Sequence, residues 1–196
     1  MSQVRDHILK ESLTLIAVGS NATSPWGSAF ETVVEALRRL EEAVGVTLIR
    51  SRLYQTPAFP AGAGPDFVNG AVAVRATMPA AGILAILHGI EHAAARTRAA
   101  RWGQRTLDFD LIAQGDLVQP DRDTVQAWLA LSLEDQQRNA PDQLILPHPR
   151  VQDRAFVLQP LSDVAPDWMH PILGLTVMQM LVGCTAEDRA SVVPIG

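Results

Sequence analysis

Four arginines lie within ten residues, directly ahead of two aspartates that are two positions apart. The arginines are Arg96, Arg98, Arg101 and Arg105, and the aspartates are Asp108 and Asp110. Arginine presents a planar, permanently charged fork that binds phosphate oxygens through two hydrogen bonds at once. Paired carboxylates suit hard divalent cations. This combination predicts a site for a metal-bound polyphosphate.

The segment that carries the two aspartates alternates polar and apolar residues from 106 to 113, which is typical of a strand. Apolar residues on one face are Leu107, Phe109 and Leu111, and the opposite face carries Asp108 and Asp110. Residues two apart on a strand are separated by roughly 6.6 Å, so both carboxylates could reach a pair of cations about 4 Å apart. The alternative is a solvated basic loop ahead of an ordinary edge strand.

Length and composition predict one globular domain. The chain has 196 residues and a mass of 21.2 kDa, with 47% hydrophobic and 19% charged residues. It contains no apolar run near the roughly 18 residues that a membrane span requires. We therefore expect a polar leader over 1–12, a single domain over 13–196 and no contact with a membrane. Cys184 is the only cysteine, which agrees with a reducing cytoplasm.

Charge limits the classes of partner. The net charge of −5 disfavours general binding of nucleic acid, so anions must be bound by a local basic cluster. Lys10 is the only lysine and lies in the polar leader. A phosphate-binding loop of the Walker type and a protein-kinase site both require a lysine at the phosphates, and the sequence disfavours both.

The order of the predicted elements is strand, helix, strand, strand, helix, strand. Strands are expected over 13–18, 46–55, 66–76 and 106–113, one helix from Ser28 to Gly45 and another from a cap at Thr77 to Ala94. This order matches a ferredoxin-like βαββαβ core of the α+β class, with a central, mostly antiparallel sheet and flanking helices. We expect a helical insertion over 116–143, with Ser132 and Asp135 as a cap pair, a short edge strand over 167–171 and a closing helix over 175–182.

Three features leave more than one interpretation. His88, Glu91 and His92 have the H-x-x-E-H spacing of certain zinc peptidases, although a solvated histidine pair is the simpler reading. The carboxylate pair could also serve a metal-dependent phosphoesterase or nuclease. Asn69 lies in the middle of a predicted buried strand, where it would bond either to neighbouring backbone or to a polar ligand.

Several separated motifs resemble the 6-hydroxymethyl-7,8-dihydropterin pyrophosphokinase family. The central one is Arg101-Trp-Gly-Gln-Arg-Thr-Leu-Asp-Phe-Asp110, in which Gln104 stands where the family usually has proline. Further matches are Gly19-Ser-Asn21, Tyr54-Gln-Thr-Pro57, Phe67-Val-Asn69, Glu91 with Arg96 and Arg98, Leu146-Pro-His-Pro-Arg150, and Arg154-Ala-Phe156. They occur in the family's order over roughly 13–182. The resemblance implies pyrophosphoryl transfer from ATP, as co-substrate, to a pterin alcohol in folate biosynthesis.

The resemblance also implies roles for particular residues. Asp108 and Asp110 would bind two Mg²⁺ ions, and the catalytic set would add Arg96, Arg98 and Arg105, the first two from a loop that the family closes over ATP. Contacts to ATP are expected from Glu91, Arg98, Arg105, Leu111, His148 and Arg154. Contacts to the pterin are expected from Thr56, Pro57, Ala58, Phe59, Phe67, Asn69, Trp102 and Phe156. Both partners are small molecules, and we expect a monomer that binds no nucleic acid.

Overall fold

The computed structural model describes residues 11–58, 64–95, 105–132, 135, 138–139 and 141–196. The strands are β1 (Ser12–Ser20), β2 (Ile49–Arg50), β3 (Tyr54–Thr56), β4 (Phe67–Ala76), β5 (Asp108–Gln114) and β6 (Val193–Pro194). The helices are α1 (Ala29–Val44), α2 (Ala80–Ala93), α3 (Arg122–Ala130), α4 (Ala155–Val164), α5 (Val177–Gly183) and α6 (Ala186–Ala190). Within these ranges, no helix is long and apolar enough to cross a membrane.

The strands form one antiparallel sheet in the order β5-β1-β4-β3-β6, with β2 also pairing with β4. This order and the βαββαβ succession confirm the predicted ferredoxin-like core. At the end of β1, Gly19 lies between Asn69 of β4 and Asp108 of β5. The end of β1 and the beginnings of β4 and β5 therefore meet at one edge of the sheet.

Two apolar cores, one on each face of the sheet, hold the apolar side chains of β5. Phe109 and Leu111 belong to the core beneath α1 and α2. Ile112 belongs to the core beneath α4 and α5. The predicted alternation is confirmed as far as Ile112, and it leaves Asp108 and Asp110 on the same face as Ile112. It breaks at Ala113, which lies in the same core as Ile112, where the pairing with β1 shifts register.

The first helix begins and ends where the sequence predicts. Ser28 and Glu31 form a reciprocal capping box at its start, and Gly45 ends it in the left-handed conformation with φ of 71°. Such a conformation favours glycine because it has no Cβ. The second helix differs from the prediction: its N-cap is Pro79, with no side-chain cap, rather than Thr77.

The predicted strand over 46–55 is interrupted in the structure. Only β2 and β3 are strands there, because the Ser51 side chain takes part in the pairing with β4. The Ser51 N–H donates to the Ala71 carbonyl at 2.9 Å, while the Ala71 N–H donates to the Ser51 hydroxyl at 2.9 Å. A side-chain oxygen thus replaces a backbone carbonyl and breaks the ladder.

The C-terminal region contains further differences. The edge strand predicted over 167–171 is wrong, since only an isolated bridge joins Met169 to Thr176. His170 turns the chain instead, because its Nδ1 accepts the N–H groups of Ile172 and Leu173, each at 3.2 Å. The closing helix is confirmed as α5, whereas α6 and β6 were not predicted.

The region over 116–143, predicted as a helical insertion, contains α3, which is capped by the Asp121 side chain. The predicted cap pair is also present, since the Ser132 hydroxyl lies 2.7 Å from an Asp135 carboxylate oxygen and accepts the Asp135 N–H at 3.1 Å.

Candidate active site

The two carboxylates of β5 each lie beside a guanidinium group in the free protein. Asp108 forms an ion pair with Arg105, and Asp110 lies 3.5 Å from Nη1 of Arg154. Their side chains are 19% and 35% exposed, so solvent or a ligand can reach both. Each of the two carboxylates therefore has a counter-charge within the protein.

The cationic side of the site comes from the segment that leads into α4. His148, Arg150 and Arg154 follow one another closely around a short 3-10 turn over Val151–Asp153. Arg150 forms an ion pair with Asp153 at 3.1 Å. Desolvation lowers the pKa of Arg154, and the Asp110 carboxylate acts against that decrease. This segment returns to the sheet because the His148 N–H donates to the Ile112 carbonyl at 2.8 Å.

His148 is held as a neutral imidazole with a defined tautomer. Desolvation, followed by the positive charges of Arg154 and Arg150, lowers the pKa of His148 to about 3. Its Nδ1 accepts the Arg150 N–H at 3.1 Å. Because Nδ1 is an acceptor in this hydrogen bond, the ring proton must lie on Nε2, which is then a donor for an anionic ligand.

A second group of proposed site residues lies on β3 and the beginning of β4. The Asn69 Nδ2 donates to the Thr56 hydroxyl at 2.7 Å, and both residues are buried. The sequence left open whether Asn69 bonds to backbone or faces a ligand, and in the structure its amide donates to this side chain. Ala58 is also buried, Pro57 is exposed and Phe67 is half-buried.

The Asn69 amide also lies close to the backbone of Gly19. A Cβ added to Gly19 would lie 2.6 Å from the Asn69 Oδ1, and the Phe67 ring would be 3.8 Å away. A side chain at position 19 would therefore displace the Asn69 amide from its place beside β1.

Two of the residues expected to contact ATP are buried. Glu91 is 3% exposed and accepts the Phe109 N–H at 2.7 Å, so its carboxylate joins α2 to β5. The Leu111 side chain lies in the core under α1 and α2. Any contact of Leu111 with a ligand on the Asp110 face would therefore involve backbone atoms.

Phe156 remains available on the surface of α4. It is 40% exposed, and the Arg154 guanidinium lies 5.8 Å from the centre of its ring. An exposed aromatic ring beside a cation suits a flat heteroaromatic ligand.

Other residues of the predicted site lie outside the described residues. They are Phe59, Arg96, Arg98 and Trp102.

The structure does not assemble the zinc site that the H-x-x-E-H spacing suggests. His88 and His92 are exposed, whereas Glu91 is buried and bonded to the Phe109 backbone. In the described part of the chain, no three His, Cys, Asp or Glu side chains form a group that could hold a metal ion.

The donor set does fit the magnesium that the resemblance implies. Magnesium in phosphoryl-transfer sites binds through one or two carboxylates and completes its coordination with substrate oxygens and water. Asp108 and Asp110 provide two partly exposed carboxylates on one strand face, with the Arg105 guanidinium beside the first and the Arg154 guanidinium beside the second.

Sequence reasoning gave no role to Ser20 and Asn21, although both belong to a matched motif. The Ser20 hydroxyl donates to the Thr106 carbonyl at 2.6 Å. Asn21 forms hydrogen bonds with both Arg105 and Pro65. Two polar residues soon after the apolar run of the predicted first strand were the available indication.

A carboxylate pair thus lies beside arginines at one edge of a ferredoxin-like sheet. The family model described as 7,8-dihydro-6-hydroxymethylpterin-pyrophosphokinase (HPPK) matches residues 15–166. The chain belongs to this family.

Individual relatives agree with that assignment. The chain is 34% identical over 175 residues to a 2-amino-4-hydroxy-6-hydroxymethyldihydropteridine pyrophosphokinase of Synechocystis sp., covering 88% of this chain and 77% of the relative. It is 33% identical to the protein of the same name from Pseudomonas aeruginosa, covering 88% of this chain and 91% of the relative. These names give the phosphoesterase and nuclease alternative no support.

Solved structures agree on the fold. The crystal structure of wild-type Plasmodium falciparum HPPK-DHPS matches with a TM-score of 0.60 at 15% sequence identity. The match covers 89% of this chain and 45% of that chain. The chain thus spans less than half of that larger protein.

Proposed function

We propose that this chain transfers a pyrophosphoryl group from ATP to 6-hydroxymethyl-7,8-dihydropterin, producing AMP and the pterin diphosphate, in folate biosynthesis. The family membership supports this reaction. One observation in particular supports it. A carboxylate pair, the cationic segment before α4 and the hydrogen-bonded Asn69–Thr56 pair meet at one edge of the sheet.

In the proposed ATP site, the carboxylates provide negative charge for the metal and the arginines provide positive charge for the phosphates. Asp108 and Asp110 would hold magnesium, which supplies neutralisation of the negative charge on the polyphosphate when bound. Arg105 and Arg154 now neutralise these carboxylates and would donate hydrogen bonds to phosphate oxygens. Catalysis then depends mainly on positioning and on electrostatic stabilisation by groups that are already oriented.

His148 contributes a hydrogen bond without contributing charge. Its pKa of about 3 keeps the imidazole neutral at pH 7, and the Arg150 N–H occupies Nδ1. The Nε2–H is therefore the group that would donate to ATP. A neutral donor adds directional binding without changing the charge balance between the arginines and the carboxylates.

Residues of β3 and β4, together with Phe156 of α4, would bind the pterin. A flat, polar heteroaromatic ligand needs apolar faces and oriented hydrogen-bonding groups. Phe156 offers an exposed ring, Phe67 a half-buried one, and the Asn69–Thr56 pair offers polar atoms held by a hydrogen bond. We assign these residues, with Pro57 and Ala58, to the pterin subsite.

The proposed reaction is tested by incubating the protein with ATP, magnesium and the pterin alcohol and separating the nucleotides by chromatography. We expect equal amounts of AMP and pterin diphosphate, because the β and γ phosphates move together. Formation of ADP, or release of free pyrophosphate without a pterin product, would contradict the proposal.

The number of magnesium ions, a cytoplasmic location and a monomeric state are further parts of the proposal. Two ions are the expectation for a site with two carboxylates and a bridging polyphosphate. Analytical ultracentrifugation of the full chain measures the oligomeric state.

A further inference from the structure

The buried polar residues at the end of β1 lie between the two halves of the proposed site. Asn21 is 5% exposed and follows directly after β1. Its Oδ1 accepts the Arg105 N–H at 2.8 Å, and its own N–H donates to the Arg105 carbonyl at 3.1 Å. The backbone of Arg105 is thus fixed by two reciprocal hydrogen bonds.

The same side chain also reaches the polypeptide that precedes β4. The Asn21 Nδ2 donates to the Pro65 carbonyl at 3.1 Å. Pro65 lies two residues before Phe67, the first residue of β4, and β4 carries Asn69. One amide group therefore joins the phosphate side of the site to the pterin side.

The amide is suited to this double role because its two ends differ. Its oxygen only accepts and its nitrogen only donates, and the partners here are one backbone N–H and one backbone carbonyl. A carboxylate could satisfy the first partner but would repel the second. An aliphatic side chain could satisfy neither.

We propose that Asn21 is a positioning residue that couples the pterin subsite to the phosphate-binding Arg105. This inference rests on the proposed function for its kinetic effects. Asn21 acts through Arg105 on one side and through the beginning of β4 on the other. Displacement of a reacting group by about 1 Å can cost on the order of 100-fold in rate, so loss of Asn21 should affect turnover although it touches no reacting atom.

Two substitutions separate the two contacts. Asn21→Asp keeps the acceptor for the Arg105 N–H and loses the donor to Pro65, so we expect a KM for the pterin raised at least about 10-fold with a smaller change in kcat. Asn21→Ala loses both contacts, so kcat should also fall by about 10- to 100-fold.

A double-substitution cycle with Arg105→Ala tests whether Asn21 acts through the arginine. Once the guanidinium is removed, the position of residue 105 contributes less to catalysis. Asn21→Ala should then reduce kcat less than about threefold. A purely structural loss would instead reduce kcat by the same factor in both backgrounds.

The matched control is Thr14→Val at the opposite end of the same strand. Thr14 is buried and accepts a hydrogen bond from Gln114 at 3.3 Å, so the control also removes a buried bond of β1. We expect lower thermal stability with kinetic constants within about twofold of the wild type. Equal kinetic losses in Thr14→Val and Asn21→Ala would overturn the proposal.

Amide hydrogen exchange provides a readout that does not depend on the reaction. The Arg105 amide should be protected in the wild type and in Asn21→Asp, and should exchange at least about 10-fold faster in Asn21→Ala. Equal exchange in all three proteins overturns the coupling role even if AMP is released. A wild type that releases no AMP but shows the expected exchange pattern contradicts the proposed reaction and leaves the anchoring of Arg105 established.

Discussion

At the scale of single residues, the site depends on carboxylates whose charge is already balanced. Asp110 lies 3.5 Å from the Arg154 guanidinium, and Asp108 forms an ion pair with Arg105. The role of each aspartate can be tested separately from its contribution to the fold because both are partly exposed. Burial and packing therefore do not dominate the effect of a substitution here.

Replacing Asp110 by asparagine should reduce kcat by about 1,000-fold or more, because a neutral amide is a weak magnesium ligand and leaves the charge of Arg154 unbalanced. Product formation at saturating ATP and magnesium measures this loss. Asp123→Asn, in the exposed first turn of α3, removes the same charge from a residue that is not part of the proposed site and should have full activity. Comparable activity in the two variants would mean that the carboxylate pair is not part of the catalytic site.

Replacing Gly19 by alanine should raise the KM for the pterin, because the new methyl group would lie 2.6 Å from the Asn69 Oδ1 and must displace it. We expect destabilisation of about 1–3 kcal/mol from this overpacking. Gly89→Ala provides the matched control, because an added Cβ there meets nothing within 4 Å and a helical position favours alanine. The result would argue against a pterin role for Asn69 if both alanine variants bound the pterin equally.

At the scale of elements, patterns of alternation and capping predicted most of the core. The capping box at Ser28 and the alternating residues of β5 are local features, so their structures follow from neighbouring residues. The break after β2 and the turn at His170 depend on side chains that replace backbone partners. Such replacements depend on tertiary neighbours, which periodicity in the sequence does not reveal.

The turn at His170 predicts a measurable pH dependence of stability. His170 is fully buried, and desolvation lowers its pKa to about 4 from the ordinary 6.5. The unfolded chain therefore binds a proton more readily, and stability should fall as the pH decreases from about 6.5 to 4. A shift of this size corresponds to a decrease of up to about 3 kcal/mol.

The variant that isolates this effect is His170→Asn. Its Oδ1 can accept the same two backbone N–H groups and does not titrate. The free energy of unfolding from urea titrations at pH 7 and pH 4.5 should decrease less in the variant than in the wild type. Identical decreases would show that other groups cause the acid sensitivity.

At the scale of the whole molecule, the fold brings together groups that are distant in sequence. The carboxylates come from β5, the cationic segment precedes α4, and Asn69 comes from β4. The motifs predicted this set because they resemble a family, whereas the contacts of Asn21 and the partner of Asn69 became apparent only from the register of the strands. The sequence thus predicts candidate site residues, and the structure adds the contacts that hold them in place.

The internal charge balance predicts that magnesium binds weakly in the absence of nucleotide. Both carboxylates already have guanidinium neighbours, which would have to be displaced or to face the cation. Calorimetry should therefore show at least about 10-fold tighter magnesium binding when a non-hydrolysable ATP analogue is present. Magnesium should increase the affinity of the protein for the analogue by the same factor. Tight binding of magnesium to the protein alone would contradict this expectation.

The position of the two cores along the chain has a consequence for synthesis. The sheet from β1 to β5 and its core under α1 and α2 are formed largely by residues before 115, whereas α4 and α5 cover the opposite face later. Asp110 leaves the ribosome before Arg154, and the strand β6 that pairs with β3 comes last. A nascent chain thus carries Arg105, Asp108 and Asp110 first, and the proposed phosphate site gains His148 and Arg154 only as the final third is translated.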